Sequence, residues 1–138
     1  MKNETHNVMT KPWVRIRSFY EELPRGVPAL DSMRNLVEEI VKSRYVSDIY
    51  AYTSMQDLCI VQTEVAYPYD GPRLVISPLG DGRVEFRYID TYIKAKQWHR
   101  TVDGKDAFAR LEKFFSQLHW FSPAPLPKAA KRSTGNEE

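Results

Sequence analysis

The chain has 138 residues, 42% of them hydrophobic and 28% charged, with a net charge of +2. This suits one globular domain that buries a core without staples. One cysteine, Cys59, allows no internal disulfide and would leave a zinc site to histidine and carboxylate ligands. The start, MKNETHNVMTKPW, has no apolar run of the kind a secretory signal or a membrane span needs. With the lone thiol, this leads us to expect a cytosolic protein with no membrane association.

Residues 1–12 are polar and aperiodic and read as a mobile terminus. Trp13 to Phe19 alternates, with Val14 and Ile16 on one side and Trp13, Arg15 and Arg17 on the other, which predicts a short edge strand. Pro24, Gly26 and Pro28 then mark a loop. From Leu30 to Arg44, the residues Leu30, Met33, Leu36, Val37, Ile40 and Val41 recur at three-four spacing and predict an amphipathic helix. Arg34, Asn35, Glu38, Glu39 and Lys42 are assigned to its wet side.

Strands follow. Val46 to Thr53 alternates, with Ile49, Ala51 and Thr53 opposite Tyr50 and Tyr52. Leu58 to Thr63 is apolar on both faces, as an interior strand is. Tyr67-Pro68-Tyr69-Asp70-Gly71-Pro72 must be a loop. Arg73 to Ser77 and Arg83 to Ile89 form a hairpin around Pro78 to Gly82. In its second arm Val84, Phe86 and Tyr88 face the core, and Arg83, Glu85 and Arg87 face water. Thr91 to Thr101 alternates as a fifth strand. Asp103 then caps a second helix reaching Phe121, with Asp106 near the positive end of its dipole. Ala107, Phe108, Leu111, Phe114, Phe115 and Leu118 form its apolar face. Trp120 and Phe121, just past that stripe, suit either a core cap or a symmetric homodimer contact. Residues 122–138 are rich in Pro, Ala, Lys and Ser and read as disordered.

The expected fold is α+β. A four- to five-stranded antiparallel meander carries two amphipathic helices, about 30–44 and 103–121, on one face. The organisation is a mobile segment 1–12, a single domain 13–121 and a Pro/Lys-rich tail 122–138.

Motifs with chemistry are scarce. Gly80 and Gly82 lie between two strands, so their spacing signals a hairpin and not a phosphate loop. His6, His99 and His119 stand far apart and suggest no metal site. Cys59 and His99 are residue types that pair as nucleophile and base, but Cys59 sits among Leu58, Ile60 and Val61, where a thiol is usually a small buried hydrophobe. Glu21-Glu22 and Glu38-Glu39 point apart on a helix and read as solvated surface. No cofactor is expected.

Charge is uneven: residues 1–72 balance at −2, residues 73–100 at +3 and residues 101–138 at +1. On a strand across 91–101, Tyr92, Lys94, Lys96, Trp98 and Arg100 would share one face. Cations interleaved with rings suit an acidic protein partner, or a single-stranded nucleic acid. They also suit a plain edge strand that Lys protects from pairing. Tyr67 and Tyr69, on a Pro-stiffened loop, form a second candidate contact. The expected function is that of a small interaction or regulatory protein binding an acidic partner through these residues. Nucleic-acid binding and an enzyme whose site leaves no local motif are the alternatives.

Overall fold

Short connections between apolar runs give an antiparallel meander in the computed structural model, which describes residues 8–90 and 92–121. The strands are β1 Tyr50–Ser54, β2 Asp57–Val61, β3 Arg73–Pro78, β4 Arg83–Ile89 and β5 Trp98–Asp103. They lie in the sheet in that same order. Three helices accompany them: α1 Trp13–Glu21, α2 Pro28–Val41 and α3 Ala107–Leu118. The fold is therefore α+β with an open five-stranded sheet. No helix among the described residues is long and apolar enough to cross a membrane. The chain forms two compact units, residues 1–108 with the sheet, α1 and α2, and residues 109–138 with most of α3.

In the first unit, α2 packs on β3 and β4, and α1 packs on α2 and β1. Its core includes Met33, Leu36, Val37 and Ile40 of α2 and Ile16 and Tyr20 of α1, with Leu58, Ile60, Leu74, Ile76, Val84 and Phe86 from one sheet face. The opposite face is also buried at its centre. Tyr52, Cys59, Val61 and Val75 form a second apolar cluster, against which Met9, Val65, Tyr69 and Ile89 pack. The backbone just before α1 supplies part of this cover. Met9 N–H donates to Val65 O and Lys11 N–H to Ala51 O, both at 2.9 Å, within antiparallel bridges Val8–Ala66 and Lys11–Ala51. Residues 1–7, the outer part of the segment read as mobile, and residues 122–138, the whole tail read as disordered, lie outside the described residues.

Four expectations are corrected. Residues 13–19 are helical and do not form an edge strand. Trp13, Ile16 and Tyr20 recur at three-four spacing, and Ile16 and Tyr20 are fully buried. The Trp13 indole N–H donates to Ile49 O at 3.0 Å, and the Tyr20 hydroxyl donates to Gln56 O at 2.8 Å. Residues 46–49 are not strand either. Ser43 Oγ accepts from Tyr45 N–H and starts a 3-10 turn over Arg44–Ser47, so β1 begins only at Tyr50. Residues 92–97 form a loop, described below. Asp103 ends β5 and makes no side-chain cap; a 3-10 turn Gly104–Asp106 intervenes before α3.

Arg34 is the further surprise, because it is buried and not on the wet side of α2. Its Nε donates to Tyr20 O at 3.2 Å. Its Nη2 donates to Leu23 O at 2.9 Å and to Pro24 O at 3.3 Å, and its Nη1 meets Asp31 Oδ1 at 2.6 Å. The guanidinium thus supplies donors to a carbonyl in the last turn of α1 and to two carbonyls just beyond its C-terminal end. Gly104 marks a second tight contact: a Cβ there would collide with Ser32 Oγ, whose hydroxyl donates to Gly82 O at 2.7 Å.

In the second unit, Leu111, Phe114 and Phe115 are buried. His119, at φ 59°, ends α3 in the left-handed conformation. His119 N–H donates to Ser116 O and Trp120 N–H to Phe115 O, the paired bonds of a Schellman cap. Trp120 stacks on Phe115 with ring centroids 5.7 Å apart, and Phe121 meets the same ring edge-on at 4.9 Å.

Replacing Arg34 by Lys keeps the charge but removes the planar fork that serves several carbonyls together. The variant is expected to lose about 1–3 kcal/mol of stability, read as a lower urea midpoint with an unchanged slope.

Candidate interaction surface

In a meander, the β2–β3 and β4–β5 connections emerge at the same end of the sheet. Residues 62–72 and 90–97 therefore share that end, and a side-chain bond joins them: Tyr92 Oη donates to Asp70 Oδ1 at 2.7 Å. The carboxylate receiving its proton holds the Tyr92 phenol above its ordinary pKa. Two surfaces read separately from the sequence thus become one.

Asp90 shapes the second loop. It is buried, and its Oδ1 accepts from Tyr92 N–H and Ile93 N–H, each at 3.0 Å. Its own N–H donates to Gln97 Oε1 at 3.0 Å. An Asp side chain that captures the next backbone amides turns the chain out of the sheet. A 3-10 turn over Lys94–Lys96 follows, and β5 starts at Trp98. The strand expected over 91–101 is therefore realised only from Trp98 on, with Thr91 outside the described residues.

Tyr92, Lys94, Lys96, Trp98 and Arg100 consequently do not form a single row. Tyr92, Lys94 and Lys96 belong to the loop. Trp98 and Arg100 lie on β5, opposite Tyr88 and Phe86, on the sheet face that carries the main core. Trp98 is half-buried; its ring stacks on Tyr88 at 6.1 Å, and the Arg100 guanidinium stands 5.7 Å from its centroid. The tyrosines of the other loop divide. Tyr69 folds back on the second apolar cluster, where its hydroxyl donates to Pro72 O at 2.7 Å. Gly71 beneath it is buried, and a Cβ there would lie 2.7 Å from Tyr69 Oη. Tyr67 is 70% exposed.

The surface that results presents Tyr67, Tyr92 (72% exposed) and Ile93 (47% exposed) beside the exposed Lys94 and Lys96. Neither lysine has an ion-pair partner among the described residues. A groove of about 360 Å³ runs beside the turn, lined by Tyr88, Ile89, Gln97, Trp98 and His99. Ile93, Asp70 and Asp90 were not singled out from the sequence. An Asp directly after an apolar strand was the available signal for the turn; the bond between Tyr92 and Asp70 had none.

The rest of the sheet's second face holds closely spaced polar side chains of opposite type. Arg87 Nη2 lies 3.5 Å from Asp57 Oδ2, Arg87 Nε lies 3.6 Å from Glu85 Oε1, and His99 Nδ1 lies 3.8 Å from Glu85 Oε2. Among the described residues, no group of three or more His, Cys, Asp or Glu side chains could hold a metal ion. Cys59 and His99 do not meet, because β3 and β4 separate their strands and three strand spacings amount to roughly 14 Å. Burial, then the neighbouring Asp57 carboxylate, pushes the Cys59 thiol up to about 11. Its strand partner Tyr52 is pushed up to about 12, mainly by burial. A thiol so protonated is no nucleophile at neutral pH. Compared with family models, with curated proteins and with solved structures, the chain matches none of them.

The raised thiol couples folding to pH. The folded chain holds the Cys59 proton more tightly than the unfolded chain does, so its contribution is complete below the ordinary 9.0 and is lost as pH rises toward about 11. The urea midpoint is expected to fall from about pH 9 upward. In Cys59→Ala the decline should begin only where the buried tyrosines, ordinarily at 10.0, come into play.

Proposed function

We propose that this protein is a small cytosolic interaction protein that binds an acidic protein partner through the surface of Tyr67, Tyr92, Ile93, Lys94 and Lys96, with Trp98 and Arg100 at its margin. The observation that carries this reading is the company the two lysines keep. Unpaired cations stand beside three large apolar or aromatic side chains that the fold leaves in water.

Aromatic anchors supply contact area at low entropy cost, and the charges at the rim steer an oppositely charged partner. The Asp70–Tyr92 bond orients one of the rings before any partner arrives, which lowers the cost of ordering it. The core itself does not need Tyr67 or Ile93 exposed, and a lone edge lysine would suffice to discourage strand pairing. Tyr69 contributes indirectly, by holding the Tyr67 loop on the second apolar cluster. A protein is favoured over a nucleic acid because the basic excess of the segment 73–100 is only +3, small for a domain that tracks phosphates.

Affinity capture from a native extract, with wild type and Lys94→Glu/Lys96→Glu in parallel, tests this. An acidic protein should be enriched by wild type and recovered roughly tenfold less or worse by the double variant, because like charges then face each other. Equal recovery by both proteins rejects the surface. Retention of single-stranded oligonucleotides at about 50 mM salt that collapses at about 200 mM would replace the protein partner by a nucleic acid.

A further inference from the structure

The two edges of the sheet are treated differently. Beyond β1 the chain supplies its own cover, with Lys11 N–H donating to Ala51 O at 2.9 Å. β5 is the last strand on the other side, and it pairs with β4 in unbroken register from Arg83–Asp103 to Tyr88–Trp98. The neighbouring hairpin decides which of its backbone groups face outward. Leu79 N–H donates to Arg83 O at 2.9 Å, so Arg83, and with it Glu85 and Arg87, turn their backbone groups to β3. Val84, Phe86 and Tyr88 then bond to their β5 partners Val102, Arg100 and Trp98. The N–H and C=O groups of His99, Thr101 and Asp103 consequently point away from the sheet. All three residues are exposed. Among the described residues, the one bond to these outer backbone groups is a surface bond from Arg100 Nη1 to His99 O, and a carbonyl can accept a second.

Open edges are commonly blunted by proline, a bulge or lysine on the strand. β5 has none of these; Lys94 and Lys96 lie on the turn before it. Trp98, Thr101 and Val102 are strand-forming types. The strand is also complementary to itself. A second copy paired antiparallel must set outward residues opposite outward residues, which leaves few registers. A two-fold axis at Arg100 sets Arg100 directly against Arg100, a destabilising pair of like charges. An axis at Val102 carries His99 past the end of the facing strand. An axis at Thr101 sets Thr101 against Thr101, His99 against Asp103 and Arg100 against Val102. That register uses the whole open edge and places opposite types face to face.

We infer that the chain forms a symmetric dimer in which β5 pairs antiparallel with β5 of a second copy about an axis at Thr101, joining the two sheets into one. The outward residues exchange roughly six main-chain hydrogen bonds, two for each facing pair. The imidazole of His99 bonds the Asp103 carboxylate of the other copy, and the facing Thr101 hydroxyls bond each other. Within its own chain His99 Nδ1 stands 3.8 Å from Glu85 Oε2, and Asp103 Oδ2 stands 3.6 Å from Lys105 Nζ. Both distances exceed hydrogen-bond length, so each group keeps bonding capacity for the second copy. A foreign strand could use the same backbone edge, but the side-chain pattern singles out this chain as its own partner. The dimer uses main-chain groups of β5, and it does not rest on the acidic-partner reading.

Sedimentation equilibrium of the full chain, from about 1 μM to about 1 mM, tests this together with three variants. Wild type should pass from monomer to dimer within that range. Thr101→Pro removes an outward N–H and none of the bonds to β4, as proline on an edge strand permits. It should keep the fold, read by circular dichroism, and weaken the dimer about tenfold or more, since both copies lose a donor. His99→Asp sets carboxylates opposite each other and should weaken the dimer as well. The exchange variant His99→Asp/Asp103→His restores opposite types in this register alone and should recover the wild-type dimer. Two results overturn the inference: a chain that stays monomeric to about 1 mM, or a dimer that His99→Asp leaves as strong as wild type. A dimer that His99→Asp weakens and the exchange does not recover overturns the register. Should Thr101→Pro fail to fold, the His99 and Asp103 variants decide the matter alone.

Discussion

A strand that is apolar on both faces needs two covers, and β2 is such a strand: Leu58, Cys59, Ile60 and Val61 are all buried. Much of the first unit follows from this constraint. Leu58 and Ile60 face the side that α1 and α2 close. Cys59 and Val61 face the other side, away from α1 and α2. Their cover comes instead from Met9, Val65 and Tyr69, on segments with no regular structure of their own, and from Ile89 at the end of β4. At about 25 cal/mol for each Å² of apolar surface removed from water, docking such segments is worth more than leaving β2 half wet. The resulting thiol is buried and protonated, and the central part of this sheet face is closed to partners.

The remaining form is set by a few polar side chains that capture backbone groups. Arg34 gathers carbonyls of Tyr20, Leu23 and Pro24, and so fixes how the chain leaves α1 and enters α2. Asp90 gathers two amides and turns the β4–β5 connection outward. Ser43 does the same on a smaller scale after α2. Each capture adds a side-chain hydrogen bond to backbone groups where the chain changes direction. Each also decides which neighbours become exposed: Tyr92, Ile93, Lys94 and Lys96 face water because Asp90 ends β4 where it does.

The candidate surface draws on the β2–β3 connection, which supplies Tyr67 and Asp70. The connection is held by the bridge from Val8 to Ala66 and by Tyr69 on the second apolar cluster. A loop tethered in this way presents polar groups in a defined geometry, which is what recognition on loops requires.

The α2 stripe and the hairpin of β3 and β4 were legible in the sequence because many apolar positions repeat one period there, and a Gly-rich turn interrupts it. Residues 13–19 carry too few apolar positions to separate the two periods. Val14 and Ile16 fit a strand, Trp13, Ile16 and Tyr20 fit a helix, and only burial of Ile16 and Tyr20 selects the helix. Arg34 sits four residues after Leu30 and three before Val37, squarely on the buried stripe, but its charge spoke for the surface until the carbonyls at the end of α1 provided acceptors. The same holds for the candidate site. Lys94, Lys96 and the exposed rings could be named from the sequence, but their arrangement could not, since Asp90 overrides the alternation and the Tyr92–Asp70 contact spans 22 residues. The sequence by itself determined the elements whose periodicity is long, the α+β class and the residue types available for contact. Tertiary structure alone decided which polar side chains turn inward and which loops meet, because those outcomes depend on hydrogen-bond partners distant along the chain.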